Sequence, residues 1–444
     1  MLKDIKLVSV NELFASIVTA FTFFYMAFDT QFSTIVIVEL KLNANTSSEV
    51  EEESWIGSSG LIFSFVGCLI QGYLADKFGR KILFYIIYTI QFVGWFIISE
   101  TMYIIGARML LSIATGLSFS NAIYTVEIIR SECRGTIVQV QSSFFGLGAI
   151  CMYFFHSCFA LKTISSVATI FAIILLICVV FIPETPYWYL LRKQRENAFK
   201  SLVWLRGLNL DRIEIEIREI ENNLDKTDKS LSIMQTISNI RWWKYFLKFS
   251  TYIVLLEFSG YGVFFMYTLQ IITEINRTGI KNNTIGTLFS VVSFVILMWS
   301  ATLVEKFKRK NIIICFNFIN LLLLLAIAFC EFYSQSLFSS IISLISASIF
   351  EATVTITGCI LSWIIISENL PTELRATVHA FLCAEGYIWY FFIIKFYPII
   401  RTFVSLSYVM ISFAFVSVLN VIWIYFCVKE TRGIILPGNK NIEH

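Results

Sequence analysis

The chain has 444 residues, of which 57% are hydrophobic and 15% charged, with a mean hydropathy of +0.75 and a net charge of +3. So few polar groups cannot cover a water-soluble globule, and so small and scattered a charge leaves no footprint for a nucleic-acid partner. Lipid is therefore expected as one of its solvents.

Apolar runs of about 20 residues, the length a helix needs to cross hydrocarbon, follow one another along the whole sequence. They centre near Phe24, Phe65, Ile90, Gly116, Gly148, Ile173, Tyr261, Ile296, Leu323, Thr355, Ile388 and Ala414. Only helices that satisfy their own backbone can cross a bilayer in this form, and the runs lack the apolar–polar alternation of a barrel. The fold class expected is an all-α membrane protein with twelve transmembrane helices. The first run is too long for a signal peptide, carries Asp29 and shows no small-residue cleavage site, so it is read as a span. Most of the ten cysteines lie inside apolar runs, without CxxC pairs or histidines at metal spacing, and are read as packing residues. No metal or cofactor is expected.

The longest polar stretch separates the runs six and six, giving an N-terminal half (1–182), a linker (183–248), a C-terminal half (249–428) and a short tail (429–444). Within the linker, Arg195 to Arg206 and Asp211 to Asn223 mix charges with Leu, Ile, Val and Trp, as surface-lying amphipathic helices do. With the N-terminus inside, inner segments hold roughly 27 of the 34 Lys and Arg, which places both termini in the cytoplasm. Asn-x-Ser/Thr sequons at Asn45, Asn276 and Asn282 then fall in outer loops, as glycosylation candidates.

Short charged motifs recur in the same order in both halves. After run two stands Asp76-Lys-Phe-Gly-Arg80-Lys81, and after run eight Glu305-Lys-Phe-Lys-Arg309-Lys310. After run four, Glu127 precedes Arg134; after run ten, Glu368 precedes Arg375 at the same interval. Run six ends at Pro183-Glu184-Thr185 and run twelve at Lys429-Glu430-Thr431. Acids and arginines at neighbouring helix ends form charge-assisted bonds, and a set shared by two halves would serve as a cytoplasmic gate.

These motifs, with Gly106-x-Arg108, Gly116 and Tyr124 in run four, Pro186-Tyr-Trp188, Leu205-Arg206-Gly207, Ser259-Gly260, Trp363 and Glu430-Thr431-Arg432-Gly433, resemble the sugar-porter family of the major facilitator superfamily over essentially the full length. Ser54-Trp55-Ile56-Gly57-Ser58 and Tyr267-Thr268-Leu269-Gln270-Ile271 look like insect facilitated trehalose transporters. The resemblance implies a major facilitator fold of two pseudo-symmetric six-helix halves and alternating-access transport of a sugar such as trehalose or glucose across the plasma membrane. It also implies a monomeric chain whose partners are a small polar solute and the bilayer.

Where that family binds sugar, this sequence departs from it. Sugars call for amides that both donate and accept, beside an aromatic face. By resemblance the substrate-binding positions are Gln141, Ser142, Glu257, Ser259, Gly262, Trp363 and Gly386. Glu257 stands where the family has glutamine, Gly262 and Gly386 where it has asparagine, and Trp363 alone keeps a binding role. Run ten lacks the family's prolines, so a straighter helix is expected there. Asp29 and Arg108 match the pair of proton-coupled relatives, which makes symport an alternative to uniport; a static salt bridge is the plainer reading. Glu257, Glu351 and Glu385 would suit hydroxyls or a cationic solute equally. The chain has three histidines and no HExxH, GxSxG or phosphate-cradling loop, so it is not read as an enzyme. A transporter-shaped solute sensor or a non-sugar carrier remains a further alternative.

Overall fold

The computed structural model describes residues 8–43, 49–101, 103–130, 133–207, 210–227, 240–333, 336–370, 372–428 and 430. Among them there is no strand, and eleven helices are long and apolar enough to cross a membrane.

In chain order these begin with α1 (Val10–Asn43), α2 (Glu49–Phe78) and α3 (Arg80–Thr101). The fourth span is divided by a hitch at Ser118 and Phe119 into α4 (Ile104–Leu117) and α5 (Ser120–Ile128), and α6 (Arg134–Cys158) and α7 (Leu161–Phe181) follow. The linker forms α8 (Pro186–Leu191), α9 (Arg195–Arg206) and α10 (Leu210–Thr227). Its apolar faces meet through Leu190, Ala198, Leu202, Ile213, Ile217 and Ile220, the packing that the amphipathic pattern of the linker calls for.

The seventh run yields no single helix that is both long and apolar enough, which is why eleven spans and not twelve are found among the described residues. It is cut into α11 (Ile240–Phe258), α12 (Tyr261–Met266) and α13 (Thr268–Ile275). The first cut lies at Gly260, whose φ of +93° is left-handed. A Cβ there would stand 2.7 Å from the Phe413 ring, so glycine is required on both backbone and packing grounds. The remaining helices are α14 (Asn282–Lys306), α15 (Arg309–Tyr333), α16 (Leu337–Thr355), α17 (Ser362–Asn369), α18 (Thr372–Phe403) and α19 (Leu406–Cys427).

Between α16 and α17 the chain is π-helical over Ile356–Leu361, which overturns the expectation of a straighter tenth span. Hydroxyls do there what prolines do elsewhere. Ser362 Oγ donates to the Thr357 carbonyl and shares a 2.6 Å hydrogen bond with the Tyr252 hydroxyl, so the widened turn keeps its polar groups satisfied inside the protein.

The chain forms two compact units. One comprises Met1–Ala27, Phe63–Gly148 and Phe159–Leu231; the other comprises Phe28–Ile62, Ala149–Cys158 and Ser232–His444. The grouping departs from a strict chain-order division, because parts of α1, α2 and α6 belong with the C-terminal segment.

Replacing Gly260 with alanine forces a side chain into a left-handed residue, at about 1–2 kcal/mol before any clash with Phe413. The expected outcome is a drop of several degrees in the melting temperature of the detergent-solubilised protein, read by intrinsic fluorescence. An unchanged melting temperature would mean that the break at Gly260 is not required.

Candidate functional site

The charged motifs of the first unit form one connected set. Arg80 Nη2 lies 3.1 Å from Glu127 Oε1 and 3.6 Å from Asp76 Oδ1, and its Nη1 donates to the Ala75 carbonyl. Glu127 Oε2 accepts from the Thr185 hydroxyl at 2.6 Å, and the Tyr124 hydroxyl donates to the Pro183 carbonyl at 2.9 Å. Glu184 Oε2 accepts from the backbone N–H of Lys81 at 2.9 Å, so a carboxylate closes the N-terminus of α3, where the helix dipole and free N–H groups favour an anion. Burial pushes the Glu184 carboxyl above the ordinary range, against the pull of the Thr185, Lys81 and Arg80 amides and of the Arg80 charge.

The second unit repeats this cap. Glu430 accepts from the backbone N–H groups of Arg309 and Lys310, each at 3.2 Å, at the N-terminus of α15. The following lysine behaves alike in both units: Lys81 Nζ donates to the Val180 carbonyl and Lys310 Nζ to the Tyr425 carbonyl. The sequence repeat is thus a repeat of geometry, and each of these bonds joins helices of the same unit. The side chains of Arg134, Glu305, Glu368 and Arg375 lie outside the described residues, as does Asn45.

A second node of the first unit was not legible beforehand. Arg206 bonds Glu12, the Ile128 carbonyl at 2.7 Å and both oxygens of Glu216, at 3.2 and 2.8 Å, while Ser9 Oγ donates to the Leu205 carbonyl. The amphipathic pair α9 and α10 is tied by this arginine to the start of α1. Leu205-Arg206-Gly207 flagged the position, but nothing in the sequence pointed to Glu12.

The residues expected to touch substrate are distributed over both units. In the first, Gln141 is buried with its amide committed: Oε1 accepts from Thr125 at 2.8 Å, and Nε2 donates to the Ser16 carbonyl and to Thr19. Half-buried Ser142 donates to the Val138 carbonyl. In the second unit Ser259 Oγ donates to the Leu256 carbonyl, and a Cβ on Gly262 would overlap the Tyr390 ring. Gly386 faces Ile253, with room for an ordinary contact. Half-buried Trp363 has the His379 ring at 5.0 Å. Glu257 is 7% exposed, and its Oε2 is enclosed without a hydrogen-bond partner. Glu385 differs, since Ser250 and Trp389 donate to its Oε1 at 2.6 and 3.0 Å. Half-buried Asp29 belongs to the second unit and buried Arg108 to the first. At the sequons, Asn276 Nδ2 donates to the Ile280 carbonyl and Asn282 Oδ1, and Asn282 Nδ2 to Thr273.

The two segments that resemble trehalose transporters meet in the second unit on α18. Pro398 lies inside that helix and has no N–H, which leaves the carbonyl four residues earlier, that of Ile394, without its helical donor. The Tyr267 hydroxyl supplies one, at 3.0 Å. Ser54 Oγ donates to the neighbouring Lys395 carbonyl at 2.7 Å, and Lys395 Nζ stands 3.6 Å over the Trp55 ring. A Cβ on Gly57 would lie 2.8 Å from the Tyr267 oxygen, so glycine admits the close approach. Nearby in the same unit, the Tyr153 hydroxyl donates to Gln31 Oε1 at 2.6 Å and lies 3.3 Å from Thr34 Oγ1.

An α-helical, multi-pass membrane protein with a repeated helix cap, an interrupted seventh span and a π-helical tenth is the class defined by this fold and these motifs. A family model described as sugar (and other) transporter matches residues 14–438, and the chain belongs to that family. It is 22% identical over 437 residues to a facilitated trehalose transporter Tret1-2 homolog of Drosophila simulans, covering 95% of this chain and 89% of that protein. It is 24% identical over 413 residues to the glucose transporter GlcP of Staphylococcus epidermidis, covering 89% and 88%. The fold is similar to that of the xylose transporter XylE from E. coli in a partially occluded inward-open conformation, with a TM-score of 0.79 at 18% identity over 96% of this chain and 100% of that one.

Because each cap closes a helix N-terminus, Glu184→Ala and Glu430→Ala are each expected to cost about 1–2 kcal/mol of stability, and the glutamine variants less. The two losses should add in the double variant, since the caps lie in separate units. Thermal melts of the three variants check this; a double variant no worse than either single one would contradict it.

Proposed function

We propose that this chain mediates facilitated, alternating-access passage of a sugar of the trehalose or glucose class across the plasma membrane, with both termini in the cytoplasm. Membership of the sugar transporter family supports the substrate class, and the named relatives carry trehalose and glucose. The observation that carries the mechanism is the sealed layer on α18. Ser54, on an early helix, donates there to the Lys395 carbonyl, Gly57 lets that helix approach Tyr267 beyond the break in the seventh span, and Tyr267 donates to the Ile394 carbonyl that Pro398 exposes. The Ser54 and Tyr267 hydroxyls of that layer both donate to backbone carbonyls that water can serve equally well once the layer parts. Such a contact can open and close without a large change in free energy, as a gate must.

In this reading Glu257, Gly262, Trp363 and Gly386 face the sugar. The enclosed Glu257 Oε2 offers an acceptor for a sugar hydroxyl, and Trp363 offers an apolar face. Gln141 and Ser259 act as scaffold, their polar groups being committed to other helices and to the break at Gly260. Asp76, Arg80, Glu127, Glu184, Arg309 and Glu430 hold each half together as a rigid rocking body. Asn276 and Asn282 are outer-loop glycosylation acceptors.

Uptake of radiolabelled trehalose and glucose into proteoliposomes of the purified protein tests the proposal. Saturable, equilibrative uptake is expected, with KM raised about tenfold or more in Trp363→Ala, as loss of a stacking face worth ~1.4 kcal/mol would give. Wild-type protein that binds these sugars without moving them would overturn the transport reading in favour of a sensor.

A further inference from the structure

Glu351 lies well inside the span Leu337–Gly358, is 4% exposed, and keeps its Oε2 enclosed without a hydrogen-bond partner. Among the described residues its carboxylate makes no hydrogen bond and no ion pair. The described groups placed near it are neutral. Phe350, the residue before it, packs on Phe264 of α12 with ring centroids 4.4 Å apart. On α6 stands Tyr153, near enough to feel the charge of Glu351, its hydroxyl engaged with Gln31, Thr34 and Thr268. The Gln31 Nε2 is also enclosed and unbonded, so this layer holds a donor and an acceptor that are both unsatisfied.

The charged groups on the elements packed against α16 are engaged elsewhere. On α13, Glu274 pairs with Arg401 at 2.5 Å; on α15, Glu331 pairs with Arg277 at 2.8 Å, and Arg309 and Lys310 sit at the other end with Glu430. On α6, His156 Nε2 is 3.4 Å from Glu39. Lys281 precedes the first residue of α14, while the side chains of Glu305 and Lys306, at its other end, lie outside the described residues. The remaining titratable groups there, Cys315, Cys330 and Tyr333 on α15 and Tyr261 on α12, carry no positive charge.

An ionised carboxylate in such a place would cost several kcal/mol with no cation to offset it. A proton is the counter-charge that such an enclosed oxygen can take without a cavity to hold it. We propose that Glu351 is a proton-binding site: the layer closes over it as the neutral acid, and opening to water releases the proton, so each closure takes up one. The step is a simple proton transfer, in which a proton delivered by water adds to a carboxylate oxygen as O–H and returns to water on opening. It deepens the transport reading by making the gate pH-sensitive through α16, independently of Asp29 and Arg108.

Infrared difference spectroscopy of the full chain in nanodiscs, without sugar, between acidic and alkaline buffer reads the site directly. A protonated-carboxyl C=O band that bleaches at alkaline pH is expected in wild type. It should vanish in Glu351→Gln, persist at a shifted position in Glu351→Asp and persist in Glu257→Gln. A Glu351→Gln protein that is monodisperse and keeps the wild-type band overturns the proposal. In proteoliposomes, trehalose uptake should change severalfold between acidic and alkaline pH in wild type and stay flat in Glu351→Gln. Uptake absent with the band present sinks the sugar reading and leaves the proton site standing; pH-independent wild-type uptake without the band does the reverse.

Discussion

Inside hydrocarbon every backbone N–H and C=O must find a partner within the protein, and this one constraint explains where the structure is regular and where it is not. Most spans meet it by being helices. Three of the places where the helical ladder fails are each sealed by a hydroxyl or a glycine. Gly260 turns the chain and leaves Ser259 to cap the Leu256 carbonyl. Ser362 and Tyr252 close the π-helical stretch. Tyr267 fills the donor that Pro398 removes from Ile394. All three lie in the C-terminal half, on the elements in which the family resemblance places sugar binding and gating. A hydroxyl that replaces a missing amide rotates freely and is replaceable by water, so these points can move while the rest of each helix stays intact.

The paired caps do the opposite work. Glu184 and Glu430 bind backbone N–H groups that are fixed in direction, and Lys81 and Lys310 each reach a carbonyl near the end of the helix that leads to that glutamate, Val180 in α7 and Tyr425 in α19. Bonds of this kind couple a helix start to a helix end and resist shear between them. The charged motifs act in this structure as staples inside each unit. Arg206 extends the principle to the linker helices, fastening α9 and α10 to α1.

Much of this was written plainly in the sequence. The centres of the apolar runs coincide with eleven spans because hydropathy over about 20 residues is the direct signature of lipid burial. The motif repeat was legible because three pairs share type, order and interval, although the backbone partners of Glu184 and Glu430 were not, since an amide leaves no residue-type signal. The interruption of the seventh run was hidden, as a left-handed Gly260 has the same hydropathy as a helical one. Helix ten was read as straight from its missing prolines; serine and threonine produced the π turn by another route. Pro398 was the neglected clue, one of only five prolines in the chain and set within a long apolar run. Gln141 shows the limit of residue type as a guide: the amide expected for sugar is held by Thr125, Ser16 and Thr19.

The central claim is that the contact of Ser54 to Gly57 with Tyr267 and α18 opens and closes in each transport cycle. A cysteine pair at Ser54 and Lys395, introduced after the exposed Cys158 and Cys315 are replaced by serine, tests it most directly. Oxidation should form a disulfide that stops sugar uptake into proteoliposomes, and reduction should restore it. A fully cross-linked protein that transports at the rate of its reduced form would contradict the account.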